Sequence, residues 1–216
     1  KGYRIIAKGS NGFVAYSSGN QGVDLQILYA KVAGTTNRLP DEAFASCCCL
    51  SSIDIPNSIT SIGKYAFYNT TFSSIKIPDS VTEIDEGALS SNWLKNIELP
   101  KGLTKLSPKL LFGSKIISAT IPNGVTEIGH EAFCICTNLP TVEIPDGVTT
   151  IGYDAFKRCS SLTDIYIPNS VTTMGKDVFA MCNKSLKIRC GASSKPADWD
   201  DEWAGDCTNI TWGATR

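Results

Sequence analysis

From Leu139 to Cys159 the spacing of apolar residues changes character twice. Leu139, Val142 and Ile144 are set off by polar Thr141 and Glu143, the alternation of a short strand with one face in a core and the other in solvent. Pro145 removes a backbone donor and ends that strand. Val148 to Ile151 is β-branched and reads as a second extended piece, after which Gly152 permits a turn with positive φ. Ala155, Phe156 and Cys159 follow at three- and four-residue spacing, which predicts one or two helical turns.

The same succession recurs along the chain. IPNSITSIGKYAF begins at 55, IPDSVTEIDEGAL at 77, LPKGLTKLSPKLL at 99, IPNGVTEIGHEAF at 121, IPDGVTTIGYDAF at 144 and IPNSVTTMGKDVF at 167, a period of 22 or 23 residues. A seventh copy, 32–54, puts Leu39, Ala43, Phe44, Cys47, Leu50 and Ile53 on the recurring apolar positions. A fixed period of this length predicts a stacked solenoid, because one repeat alone cannot bury its apolar face. The expected class is α/β, horseshoe-like, with short parallel strands on one face and short helices or turns on the other. Seven repeats at strand spacing would span about 30 Å.

Pro40, Asp85 and Ser107 replace the glycine in three copies, and proline cannot adopt positive φ, so the first turn must differ. Solenoid ends need covers. Residues 1–31 are expected to form an N-terminal cap, with a hairpin over 4–19 turning at Asn11 and Gly12. Repeats then occupy 32–189. The segment 190–216 breaks the period and carries Trp199, Trp203 and Trp212, which would seal the last repeat as a C-terminal cap.

IPDGVTTIGYDAFKRCSSLTDIYIP (144–168) resembles the BspA-like leucine-rich repeats, and IRCGASSKPADWDDEWAGDCTNITWG (188–213) is similar to a closing segment that often follows them. The resemblance runs over about 32–213 and implies a leucine-rich-repeat solenoid. Such proteins occur on the surfaces of host-associated bacteria and some protozoa, and are implicated in adhesion to host matrix proteins and other cells. It therefore implies an extracellular or cell-surface binding module whose partner is a protein or a glycan.

One motif points elsewhere. His130, the only histidine, precedes Glu131 and lies four residues before Cys134, as in a zinc-hydrolase helix whose second histidine has become cysteine. Repeat alignment places Lys64, Glu86, Pro108, Tyr153 and Lys176 at the histidine position, a solvent-facing profile. Cys134 aligns with Ala45, Tyr68, Ser90, Phe112, Lys157 and Ala180, which reads as a second outward site. A catalytic zinc needs three protein ligands and a water, and that set is missing. No metal, cofactor or catalytic group is expected here. Glu143 and Asp164, on neighbouring strands, could do acid–base work only if a pocket raised one pKa.

Nine cysteines sort by repeat position. Cys47, Cys136, Cys159 and Cys182 share one inward position, which reads as a column of small buried thiols. Cys48, Cys49 and Cys134 fall at outward or loop positions, and Cys134 is four repeats from the other two, too far for a bridge. Cys190 and Cys207 bracket the closing segment and are the candidate disulfide, worth about 3 kcal/mol by chain entropy. Asn69, Asn183 and Asn209 begin glycosylation sequons, which matter only in a eukaryotic secretory pathway. Asp198, Asp200, Asp201, Glu202 and Asp206 crowd one stretch without the spacing of an EF-hand loop, and read as a solvated cap loop.

Charge narrows the partner classes. The formal net charge is −1, with 19% charged residues and 42% hydrophobic ones, so neither nucleic acid nor an anionic membrane is attracted overall. No apolar run approaches the ~18 residues of a membrane span, and no membrane insertion is expected in this segment. The chain opens at Lys1 without an apolar leader, as expected where a signal peptide was removed or not included. Lys101, Lys105, Lys109 and Lys115 form a basic stripe in one repeat, lacking the aromatics that single-stranded nucleic acid calls for.

In a solenoid, inward positions serve the core and specificity lies in outward strand positions. The column between the two apolar strand residues reads Lys31, Asp54, Lys76, Glu98, Thr120, Glu143, Tyr166 and Arg189. This mixed surface is either a solubilising sheet face or a binding patch. The patch expected is Thr141, Glu143, Asp146, Asp164, Tyr166 and Asn169, around the one aromatic towards the end of that column. A purely structural spacer, displaying another domain of a longer surface protein, is the alternative.

Overall fold

The computed structural model describes residues 4–8, 13–17, 27–32 and 37–216, except 48, 49, 51, 72, 91 and 92; of the first three segments only the backbone is described. Asn11, Gly12, Cys48 and Cys49 lie outside the described residues. Strands Arg4–Lys8 and Phe13–Ser17 pair antiparallel, with Ile5 opposite Tyr16. Phe13–Ser17 pairs antiparallel with Ile27–Val32, which in turn pairs parallel with Ser52–Asp54, setting Lys31 opposite Asp54. From there the chain is a right-through stack of parallel coils.

Two ladders of short strands run along the stack. One holds Asn96–Glu98 beside Ser118–Thr120, and Asp164–Ile167 beside Lys187–Cys190 and Ile210–Trp212. The second holds two-residue strands, all but the first of which follow a proline turn: Arg38–Leu39, Ser61–Ile62 and Glu83–Ile84 in one sheet, then Lys105–Leu106, Glu127–Ile128, Thr150–Ile151 and Thr173–Met174 in another. A threonine precedes six of these seven strands and Asn37 the first, and this position explains the recurrence. Thr126, Thr149 and Thr172 each send the backbone N–H to the carbonyl of the equivalent threonine one repeat earlier, at 2.9–3.0 Å. Their hydroxyls donate to the same carbonyls.

No helix forms among the described residues, which corrects the expectation of short helices behind the strands. The reason lies in where the amides go. Ala132, Cys134 and Cys136 donate three residues back, to Gly129, Glu131 and Phe133. The alternate amides of Glu131, Phe133 and Ile135 instead cross to Tyr153, Ala155 and Lys157 of the next coil at 2.8–3.0 Å. A helix would need all of them within one segment. The result is a chain of overlapping β-turns, with positive φ at Glu131 (56°) and Ile135 (61°), at the third residue of a turn as type II geometry requires. The same two places are Tyr65 and Asn69, Lys109 and Gly113, Asp154 and Arg158, Asp177 and Met181 in other coils.

This also corrects the role expected of Gly152. Its φ is not positive; the left-handed residue is Asp154, two places on. Glycine is needed because the coils touch there. A Cβ on Gly152 would stand 2.5 Å from the His130 nitrogen, and one on Gly175 would stand 2.4 Å from that of Tyr153.

The core between the ladders is aromatic and aliphatic. Phe44 stacks on Phe67 at 5.7 Å, and Phe133, Phe156 and Phe179 continue at 5.1 and 5.6 Å, with Leu89 and Leu111 filling the two places between. Each stacked pair adds roughly 0.5–1.5 kcal/mol to the burial of the rings. Beside this column run the thiols. Cys136, Cys159 and Cys182 each direct Sγ at a carbonyl of the previous coil, Leu111, Phe133 and Phe156, at 3.1 Å, as the Ser114 hydroxyl does to Leu89 at 2.9 Å.

The segment after 190 continues the coil instead of leaving it. Met174 bridges to Trp199 in parallel, Phe179 donates to the Trp203 carbonyl, and Cys207 stands next in the thiol column with Sγ 3.6 Å from the Phe179 carbonyl. Trp199 and Trp203 are buried, their rings 4.9 Å apart, and Trp199 Nε1 donates to the Val171 carbonyl. The tryptophans therefore close the core rather than present themselves to a partner. In the structure Cys190 and Cys207 are both free: Cys207 stands in the thiol column while Cys190 ends a strand.

Candidate functional site

The strand register brings together what the sequence placed in columns. Tyr166 lies opposite Arg189, Asp164 opposite Lys187, and Thr141 bridges to Asp164. The alternation of Asp164, Ile165, Tyr166 and Ile167 sends the isoleucines into the core and holds the aspartate and tyrosine on the outer face. Gly191 leaves room for this, since a Cβ there would come within 2.7 Å of the Tyr166 hydroxyl and 2.9 Å of the Asn169 nitrogen.

Thr141, Glu143, Asp164 and Tyr166 line one concavity of about 440 Å³ on this face, with Arg189 and Arg216. Asp146 reaches the same place from just past the proline turn, through Arg216. Asn169 is exposed beyond Pro168 and does not line the hollow. Arg189 Nη2 lies 2.6 Å from Asp164 Oδ1, and Nε lies 3.1 Å from the same oxygen. That hydrogen bond holds the guanidinium more firmly protonated than usual. Arg216 Nη1 meets Glu143 Oε1 at 3.1 Å and Nη2 meets Asp146 Oδ1 at 3.3 Å. Both guanidinium carbons stand near the Tyr166 ring, at 5.7 Å for Arg189 and 5.3 Å for Arg216. Glu143 and Asp164 are thus each paired with an arginine.

Neither arginine was singled out by sequence. Arg189 stands in the same outward column as Tyr166 and was legible there. Arg216 lies past the last periodic residue and carries no sequence signal. A second hollow, about 1030 Å³, opens farther up the face, where Lys76, Asp79, Glu98, Lys101 and Thr120 mix both signs of charge.

The other candidates resolve differently. His130 is half-buried and stacks on Tyr153 at 4.7 Å. Cys134 is buried, not outward, and burial pushes its thiol up to about 11. Small side chains at this place, Ser90 and Ala180 as well, are covered by neighbours, whereas the larger Tyr68 reaches solvent. Among the described residues no group of three histidine, cysteine or carboxylate side chains is arranged to hold a metal. The acidic stretch is occupied locally: Asp201 pairs with Lys195 and Glu202 with Lys176, while Asp200 accepts the Glu202 amide at 2.8 Å. The lysine stripe is not one surface. Lys101 lines the larger strand-face hollow, whereas Lys109 sits in the turn segment 3.8 Å from Glu86 and 3.9 Å from Glu131.

Residues 37–116 and 105–195 match the model of the BspA type leucine rich repeat region, in six copies. The chain belongs to the BspA-type leucine-rich-repeat family. Among curated proteins none matches it. A leucine-rich repeat protein from Eubacterium ventriosum shares its fold, with a TM-score of 0.56 and 18% identity over 85% of this chain and 65% of that one. For one from Bacteroides ovatus the values are 0.48, 21%, 81% and 56%. A leucine rich cell surface protein from Faecalibacterium prausnitzii aligns over 99% of this chain and 94% of its own, at 18% identity and a TM-score of 0.32. The BspA-type chain thus spans less than two thirds of the first two proteins. Among its described residues no helix is long and apolar enough to cross a membrane.

Proposed function

We propose that this chain is a binding module of an extracellular or cell-surface protein, and that its outward strand face engages a protein or glycan ligand such as host extracellular matrix. The observation that carries the reading is the pair of hollows on that face, lined by polar side chains on strands whose inward residues are locked in the core. A scaffold stacked by backbone hydrogen bonds presents these side chains with little ordering cost on binding. Membership of a repeat family known for surface proteins supports the location. The reading is of a face that works by contact rather than catalysis, supported by the pairing of Glu143 and Asp164 with arginines.

A second reading, the structural spacer, draws on that same pairing: a face already satisfied by its own arginines needs no ligand. An array of extracellular-matrix proteins and host glycans separates the two. Saturable capture of the chain by an arrayed ligand is the outcome expected of a binding module. Capture of nothing across the array would leave the spacer.

A further inference from the structure

Arg216 is the most informative side chain on the strand face, because it is a visitor there. Gly213, at φ 65°, turns the chain, its amide donates to Ala192, and the Ala214 amide donates to Cys190. The Thr215 carbonyl accepts from Arg189 at 3.5 Å. The segment is thereby led back over a coil laid down some seventy residues earlier, since Arg216 and Glu143 are 73 residues apart in sequence. There the guanidinium finds a complete set of partners. It has Glu143 Oε1 at 3.1 Å, Asp146 Oδ1 at 3.3 Å, the Ile144 carbonyl and the Tyr166 ring centre at 5.3 Å.

These partners suit a guanidinium in particular. Its donors form a planar fork that reaches several acceptors in fixed directions, and its flat face is weakly hydrated and rests on aromatic rings. A lysine ammonium would reach one or two of the acceptors as a point charge. Asp164 is already taken by Arg189, so Glu143 and Asp146 are the acids left for an incoming cation. The seat is also open. The Arg216 side chain is 41% exposed, and those of Glu143 and Asp146 are 78% exposed. Exposed pairs of this kind hold weakly and exchange readily.

We propose that Glu143, Asp146, the Ile144 carbonyl and Tyr166 form an arginine-recognition site on the strand face, for which Arg216 of the chain itself is the competing occupant. A peptide or protein that presents an arginine to the face displaces Arg216 and takes its place. This inference rests on the strand-face reading above and narrows it to partners bearing arginine.

The test uses the peptide acetyl-Gly-Arg-Gly-amide and its lysine counterpart, followed by amide chemical shifts of the isotope-labelled chain. Arg216→Ala, at an exposed position, leaves the core untouched. The expected result on adding the arginine peptide is saturable shifts at 143–146 and Tyr166, joined in the wild type by shifts at 214–216 as Arg216 leaves its seat. Binding should be about fivefold tighter in Arg216→Ala than in the wild type, the advantage of removing a weak internal competitor. Adding Glu143→Gln and Asp146→Asn to Arg216→Ala should abolish the shifts. Equal affinity of wild type and Arg216→Ala would overturn the competition, and equal shifts with the lysine peptide would overturn arginine recognition. If the arginine peptide fails while an arrayed ligand still depends on Glu143, Asp164 and Tyr166, this inference falls and the strand-face reading stands.

Discussion

Raising the pH should dismantle this core through its thiols. Cys136, Cys159, Cys182 and Cys190 are packed between coils, and burial is the main cause that pushes each thiol upwards, to about 12 for Cys182 and Cys190. The folded chain therefore holds these protons well above the ordinary value of 9.0, while the unfolded chain releases them near it. Stability from such groups is fully present below the unfolded value and is lost as pH climbs towards the folded one. At about pH 10 each such thiol favours the unfolded state by on the order of 1 kcal/mol, and the four together by roughly 5 kcal/mol. That is of the order of a whole domain's stability. The assay is urea unfolding by far-UV circular dichroism under reductant, at pH 7.5 and pH 10, with the midpoint expected to fall by roughly 2 M. The control is Cys136→Ser with Cys159→Ser and Cys182→Ser. Ser114 already fills this column with its hydroxyl on the Leu89 carbonyl, so serine keeps the hydrogen bond. The triple variant should lose only the share of the raised thiols that remain, Cys134, Cys190 and Cys207, and its midpoint should fall clearly less than that of the wild type. An equal fall in both proteins would refute the argument.

Three further outcomes follow from the turn segments and the closing coil. Ile135 is β-branched at a φ of 61°, where Asn69 and Gly113 serve in other coils, so Ile135→Asn should raise stability by about 1 kcal/mol; a lower melting temperature would count against it. Gly152→Ala should cost about 2–3 kcal/mol through overpacking, because its Cβ would lie 2.5 Å from His130 nitrogen. Gly102→Ala meets only the Thr82 methyl at 3.0 Å and should cost well under half as much; equal losses would remove the close-packing account. Alkylation of the denatured chain without reductant should label both Cys190 and Cys207, as judged by peptide mass, and a linked 190–207 peptide would restore the bridge.

What the sequence made legible was everything that repeats. The period placed Phe133, Phe156 and Phe179 in one column, Cys136, Cys159 and Cys182 in another, and Tyr166 beside Arg189 on the outer face. What it hid was set by partners in the next coil. Three- and four-residue spacing is common to a helix and to overlapping turns, and only the amides that Glu131 and Phe133 send across to Tyr153 and Ala155 decide between them. Glycine at 152 looked like a turn residue because φ and interlayer clearance leave the same mark in a sequence. The closing segment stretched the period enough to conceal that Trp203 and Cys207 occupy the phenylalanine and cysteine columns. Within the candidate site the acids and the tyrosine were visible, whereas Arg216 depends on a reversal at Gly213 that no periodic pattern marks.

Specificity is proposed to reside on the strand face. Its most direct measurement is capture on the matrix and glycan array by three proteins side by side: the wild type, Glu143→Ala with Asp164→Ala and Tyr166→Ala, and Lys105→Ala with Lys115→Ala. The prediction is that the strand-face variant loses the ligand while the lysine variant keeps it. Capture lost by the lysine variant and kept by the strand-face variant would contradict this and move the binding surface away from Glu143, Asp164 and Tyr166.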